Sequence, residues 1–127
     1  MTQGVTITVA GYGEIQAQEG ERLVLALERG GVDILHRCGG VARCTTCRVS
    51  FEEGEPDAMT VAEYTKLEEK GFLGTARLSC QIECTQGMSV TPLQTVAITG
   101  LEPGKAPAET IEPAPEWTTR PGASTEG

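Results

Sequence analysis

Cysteine placement constrains this chain more than any other feature. Cys38, Cys44 and Cys47 fall within ten residues of one another, spaced C-x5-C-x2-C, and Cys80 follows after 32 intervening residues in the phrase RLSCQ. Cys84 makes five, an odd set. Clustering of this kind reads as metal ligation more than as a disulfide framework, which agrees with a reducing compartment. The segment HRCGGVARCTTCRV, residues 36 to 49, surrounds three of the thiols with glycine, threonine and arginine.

The spacing, with CGGVARCTTCRV and RLSCQ as its local phrases, resembles the [2Fe-2S] ferredoxins of the vertebrate type and their bacterial relatives, over roughly residues 3 to 93. The resemblance implies a [2Fe-2S] cluster held by Cys38, Cys44, Cys47 and Cys80. It also implies an α+β, β-grasp (ubiquitin-like) fold, with a mixed sheet and two helices. Each iron of such a cluster takes two bridging sulfides and two protein thiolates. That leaves no open position for a substrate, so the expectation is a soluble one-electron carrier and not an enzyme. Its implied partners are a ferredoxin reductase and a redox acceptor, such as an oxygenase or a cluster-assembly system. Members of the group often carry histidine directly after the third cysteine, where this chain has Arg48.

The loop chemistry suits an anionic cluster. Its net charge goes from minus two to minus three on reduction, so the wrapping segment must turn tightly and aim backbone N–H groups at sulfur. Gly39 and Gly40 allow this because they lack Cβ. Thr45 and Thr46 let the backbone close in and offer hydroxyl donors. Arg37, Arg43 and Arg48 each flank an expected ligand, and their charge favours the reduced form. They are therefore expected to raise the potential above the value of about −400 mV found in plant-type ferredoxins.

Charge and length narrow the class further. The 127 residues carry a formal charge of −8, which argues against nucleic acid. No apolar run approaches the roughly 18 residues of a membrane span. The opening MTQGVTITVAGYGEI has neither a signal-peptide nor a transit-peptide pattern, so a cytoplasmic location is expected. Nothing in the sequence marks an oligomer interface, and a monomer is the default. Residues 1 to 101 are expected to form the ferredoxin domain. Residues 102 to 127 hold five of the seven prolines, with only Ile111 and Trp117 as large apolar residues. They read as a Pro/Glu-rich extension, flexible or packed on the domain surface, with Trp117 as its natural anchor.

Periodicity supports the fold. Residues 5 to 9 and 14 to 19 alternate apolar and polar side chains around a glycine turn, the pattern of a hairpin. Leu23 to Leu27 is a continuous apolar run that periodicity alone does not assign, but Glu28, Arg29 and the pair Gly30, Gly31 predict a helix ending with a glycine cap. A strand is expected over 48 to 53. A helix then starts at Thr60, with Glu63 completing a reciprocal capping box, Val61, Tyr64 and Leu67 facing inward, and Gly71 at its end. Residues 77 to 84 alternate again, placing Leu78, Cys80, Ile82 and Cys84 on one strand face. Residues 88 to 90 offer a last strand.

Other readings compete with the cluster. The alternative function is a cluster-bearing sensor or a structural zinc module, without redox turnover in either case, and Cys44, Cys47, Cys80 and Cys84 form the candidate zinc set. An extended strand would part Cys80 and Cys84 by roughly 13 Å, too far for thiolates that each lie about 2.3 Å from one zinc. On that reading Cys84 is a small apolar core residue. A redox-active Cys44/Cys47 dithiol would ordinarily open a helix, whereas a strand follows here. His36 is either a proton acceptor near the cluster or a solvated or hydrogen-bonded loop histidine. Glu52, Glu53, Glu55, Asp57, Glu63, Glu68 and Glu69 form either a solvated face or a docking surface for transient, electrostatic contact with a basic partner.

Overall fold

The computed structural model describes residues 4–36, 46–100, 111 and 116–119. Valine and isoleucine alternate with threonine in β1, Gly4–Val9, so Val5, Ile7 and Val9 point into the core. Gly11 and Gly13 take φ of 83° and 92°, a region that Cβ disfavours, and the chain reverses into β2, Gly13–Gln18. The register Val5↔Ala17 and Ile7↔Ile15 stacks the apolar positions of the hairpin on one face. Helix α1, Leu23–Arg29, lays Leu23, Val24, Ala26 and Leu27 into the core. It ends as its glycines predict. Gly31, at φ 95°, reverses the backbone, and the Val32 N–H donates to the Leu27 carbonyl at 2.9 Å. Gly30 is required for a different reason: a Cβ there would lie 2.7 Å from Cγ2 of Ile15.

The second half supplies β3 (Arg48–Glu53), β4 (Ala58–Thr60), α2 (Val61–Lys70), β5 (Arg77–Leu78), β6 (Ser89–Pro92), the short helix α3 (Val96–Thr99) and β7 (Trp117–Thr119). Five strands form one mixed sheet in the order β2-β1-β6-β3-β5, with β1 and β6 parallel and the other neighbours antiparallel. This is the expected β-grasp arrangement, extended by α3. The core joins α1 and the sheet through Ile7, Leu27, Val49, Leu78, Ile82 and Val90, all buried. Among the described residues, no helix is long and apolar enough to cross a membrane.

Two expectations are corrected. Residues 77 to 84 do not form one alternating strand: β5 stops at Leu78, a 3-10 turn covers Ser79–Gln81, and every side chain from position 76 to 82 is buried. The segment is enclosed from both sides. Ser79 N–H donates to the Cys47 carbonyl at 3.1 Å, and Leu23 N–H donates to the Ile82 carbonyl at 2.8 Å. Alternating composition therefore masked a segment with no solvent face. The second correction concerns α2, where Val61 is 42% exposed and Glu63 fully buried. Thr60 caps the helix, its Oγ1 accepting from Glu63 N–H at 3.1 Å. The Glu63 carboxylate instead turns inward to Arg77, so the capping box is half formed and the helix is rotated toward Glu63 and Leu67.

Beyond residue 100, Ile111 is buried and β7 pairs antiparallel with β4, matching Ala58↔Thr119, Met59↔Thr118 and Thr60↔Trp117. Val61 N–H adds a bond to the Glu116 carbonyl at 2.7 Å. Trp117 itself is 48% exposed, so backbone pairing and Ile111 hold this segment more than the indole does.

Candidate metal centre

The pairing of β3 with β5 sets the geometry. Arg48 lies opposite Leu78, which puts the preceding Cys47 across from Ser79. Ser79 fastens that end twice, donating to the Cys47 carbonyl from its N–H at 3.1 Å and from its Oγ at 2.8 Å. The 3-10 turn then presents Cys80 one residue further on. Both cysteines are buried and neither is in a disulfide. Of the four expected ligands, the fold thus brings Cys47 and Cys80 to one end of the sheet. Cys38 and Cys44 lie outside the described residues, as do Arg37, Gly39, Gly40, Arg43 and Thr45. Two soft thiol donors fixed at the same end of a strand pair suit an iron–sulfur cluster, whose irons take thiolates.

Charge near this end comes from Arg22 and Arg77, which the sequence pattern did not single out, together with Glu63 and Arg48, which it did. Arg22, 1% exposed, donates from Nε and Nη2 to the Cys80 carbonyl at 3.1 and 2.6 Å. Arg77 donates to Glu63 from Nε at 2.8 Å and Nη2 at 3.2 Å, and also reaches the carbonyls of Pro56 and Ala58. Glu63 additionally accepts from Leu78 N–H at 2.7 Å, which locks the start of the cysteine turn to α2. Burial pushes the Glu63 carboxyl above the ordinary range, against the opposing pull of Arg77. Arg48 rests its guanidinium over the Phe72 ring, 3.9 Å from the centroid.

His36 is buried rather than solvated, with Nε2 2.6 Å from Glu28 Oε2. This is the hydrogen-bonded alternative for that residue. Among the seven acidic residues considered for docking, Glu52, Glu53, Asp57, Glu68 and Glu69 are exposed. Glu55 is partly buried and pairs with Arg77 at 3.3 Å, and Glu63 belongs to the interior. The exposed set is therefore smaller than the composition suggests.

Cys84 is a core residue, as expected. Its N–H donates to the Glu21 carbonyl at 2.7 Å and its carbonyl accepts from Gly20 N–H at 3.0 Å, which ties it to the turn before α1. Burial pushes its thiol up to about 12. Cys47, Cys80 and Cys84 are not gathered into one ligand group, and no cluster of three or more metal-ligating side chains occurs among the described residues. The extended-strand reason for rejecting the zinc set does not hold, because a 3-10 turn replaces the strand at Ser79–Gln81, and Cys44, the fourth member of that set, lies outside the described residues.

The family model of the 2Fe-2S iron-sulfur cluster binding domain matches residues 7–85 of this chain. 2Fe-2S ferredoxin-5 of Aquifex aeolicus is 38% identical over 72 residues, covering 54% of this chain and 74% of that protein. A component of the Na(+)-translocating NADH-quinone reductase of Pseudoalteromonas atlantica is 32% identical over 88 residues, which is 68% of this chain. The chain spans only 21% of that component's length. Among solved structures, the covalent putidaredoxin reductase–putidaredoxin complex matches with 29% identity and a TM-score of 0.53, over 71% of this chain and 97% of the matched one. The chain belongs to the 2Fe-2S iron-sulfur cluster binding domain family, and its cofactor is a [2Fe-2S] cluster.

Proposed function

We propose that this protein is a one-electron carrier whose cluster is held by Cys38, Cys44, Cys47 and Cys80. The observation that carries the reading is the β3–β5 pairing, which holds buried Cys47 and Cys80 at one end of the sheet through Ser79. When bound, a [2Fe-2S] cluster takes up a single electron and gives it back. The chain's own part is to supply thiolates, to fix the Cys80 turn through Arg22 and Glu63, and to place positive charge beside it. Residues 1 to 101 form the cluster-bearing domain on this reading, and residues 102 to 127 are an extension carried on its surface.

Electrons come from a ferredoxin reductase and leave to a redox acceptor protein, both bound transiently by a monomer in the cytoplasm. The matched complex of putidaredoxin with its reductase supports a reductase partner. Glu52, Glu53, Asp57, Glu68 and Glu69 supply the exposed negative charge that speeds encounter with a basic surface and still lets the complex part.

The deciding experiment is the visible spectrum of anaerobically purified protein before and after dithionite, with iron and zinc counted on the same sample. A red-brown protein with two irons per chain that bleaches partly and reversibly supports the carrier. A colourless protein holding one zinc overturns it.

A further inference from the structure

Thr60 and Gln81, the residue directly after Cys80, are both fully buried. Thr60 Oγ1 accepts from Glu63 N–H at 3.1 Å, the capping bond of α2. Its hydroxyl proton then needs an acceptor of its own inside the protein. Gln81 Oε1 is that acceptor, 2.7 Å away. With Oε1 committed, the Gln81 amide cannot turn over without losing this bond, and Nε2 faces Cys80. It lies 3.6 Å from Cys80 Sγ and 3.4 Å from the Cys80 carbonyl. The helix cap therefore decides which end of the amide the sulfur meets.

The geometry points to a relay, Thr60 to Gln81 to Cys80 Sγ, that sets the reduction potential by donating an N–H to a ligand sulfur. This rests on the proposed ligand role of Cys80. Sulfur that carries more negative charge after one-electron reduction accepts a stronger hydrogen bond, and burial keeps water from replacing it. The donor thus stabilises the reduced form more than the oxidised one. Gln81 touches the ligand atom directly. Thr60 acts through it as a positioning residue, and its backbone register against Trp117 of β7 places the extension one strand away from the relay.

The test is voltammetry of full-length Gln81→Met, Thr60→Val and Thr60→Ser proteins, with iron counted on each. Methionine keeps the length of glutamine without its donor. The expected result is two irons per chain in each variant and a shift of the one-electron equilibrium toward the oxidised form by about threefold to tenfold in Gln81→Met. Tenfold corresponds to about 59 mV. Thr60→Val should shift the same way by less, and Thr60→Ser, which retains the hydroxyl, should match the parent. A cluster-loaded Gln81→Met protein with an unchanged or higher potential overturns the relay. If Gln81→Met cannot hold its cluster, the Thr60 pair decides: a lower potential in Val but not in Ser supports the relay, and identical potentials overturn it. Cys80→Ala separates this from the ligand reading. Retention of the parent spectrum there removes the ligand role itself, whereas loss of the cluster leaves the relay to be judged on its own variants.

Discussion

Arg22 meets the Cys80 carbonyl with two nitrogens of one guanidinium, Nε at 3.1 Å and Nη2 at 2.6 Å. The bond ties the start of α1 to the turn that carries an expected ligand, 58 positions later in the chain. A planar fork of this kind is not reproduced by lysine.

Arg22→Met is expected to lower unfolding free energy by about 3 kcal/mol, since bonds to charged groups contribute roughly 1.5–3 kcal/mol net and the carbonyl is left buried. Arg22→Lys should recover less than half of that loss. Urea unfolding of the three proteins checks both statements, and a methionine variant as stable as the parent would refute the structural importance of the fork.

The buried pair of Glu63 and Arg77 predicts a larger effect. Glu63→Ala leaves the Arg77 guanidinium enclosed without its closest carboxylate, and Leu78 N–H without its acceptor. Breaking such a pair from one side costs about 3–5 kcal/mol. Replacing both residues with apolar ones should cost less than the sum of the single changes, because neither then strands a buried charge. Denaturant midpoints for the two single variants and the double variant measure this directly.

These two contacts also mark where the sequence stopped being legible. The hairpin and β3 were readable because each has one wet face and one dry face, so composition alternates with the period of the strand. Helix α1 was readable from its glycine end instead, since its apolar run Leu23 to Leu27 carries no period of its own. The phrase RLSCQ alternates too, yet it lies between α1 and β3 with no wet face, and its real geometry is a short strand and a 3-10 turn. Thr60 to Glu63 reads as a capping box, and half of it forms. Glu63 leaves the cap because Arg77 is reachable only after the chain has closed. Nothing local in the sequence distinguishes a solvated glutamate from this one. The same limit hid the roles of Arg22 and Gln81, whose contacts with the Cys80 carbonyl and with Thr60 form only through long-range pairing, whereas the cysteine spacing is written in the sequence itself and names Cys47 and Cys80, which the fold brings to one end of the sheet.

The Cys84 thiol supplies a pH prediction. Burial raises it from 9.0 to about 12, so between those values the unfolded chain gives up this proton and the folded chain keeps it. Below pH 9 the group makes no difference to stability. Above it, stability falls with rising pH, by at most about 1.4 kcal/mol per pH unit for one proton. Cys84→Ala should remove this part of the slope. Comparing the alkaline unfolding curves of the two proteins isolates it, and parallel curves between about pH 9 and 11 would contradict the assignment.

Removal of residues 102 to 127 tests the proposed boundary against the packing of β7. Deletion uncovers the edge of β4, including the Val61 N–H that donates to Glu116, and it empties the site of buried Ile111. Full burial of such a side chain contributes roughly 1.5–3 kcal/mol, so a chain ending at residue 101 should unfold at a lower temperature than the full protein. The proposed ligands all precede the cut, and the bonds of Arg22 and Ser79 that hold the Cys80 turn do not involve the extension. Two irons per chain and an unchanged visible spectrum are therefore expected alongside the lower Tm. Ile111→Ala in the full chain should reproduce part of the thermal loss without opening β4. Loss of iron on truncation would place the boundary later in the chain, because the extension would then belong to the fold that holds the cluster.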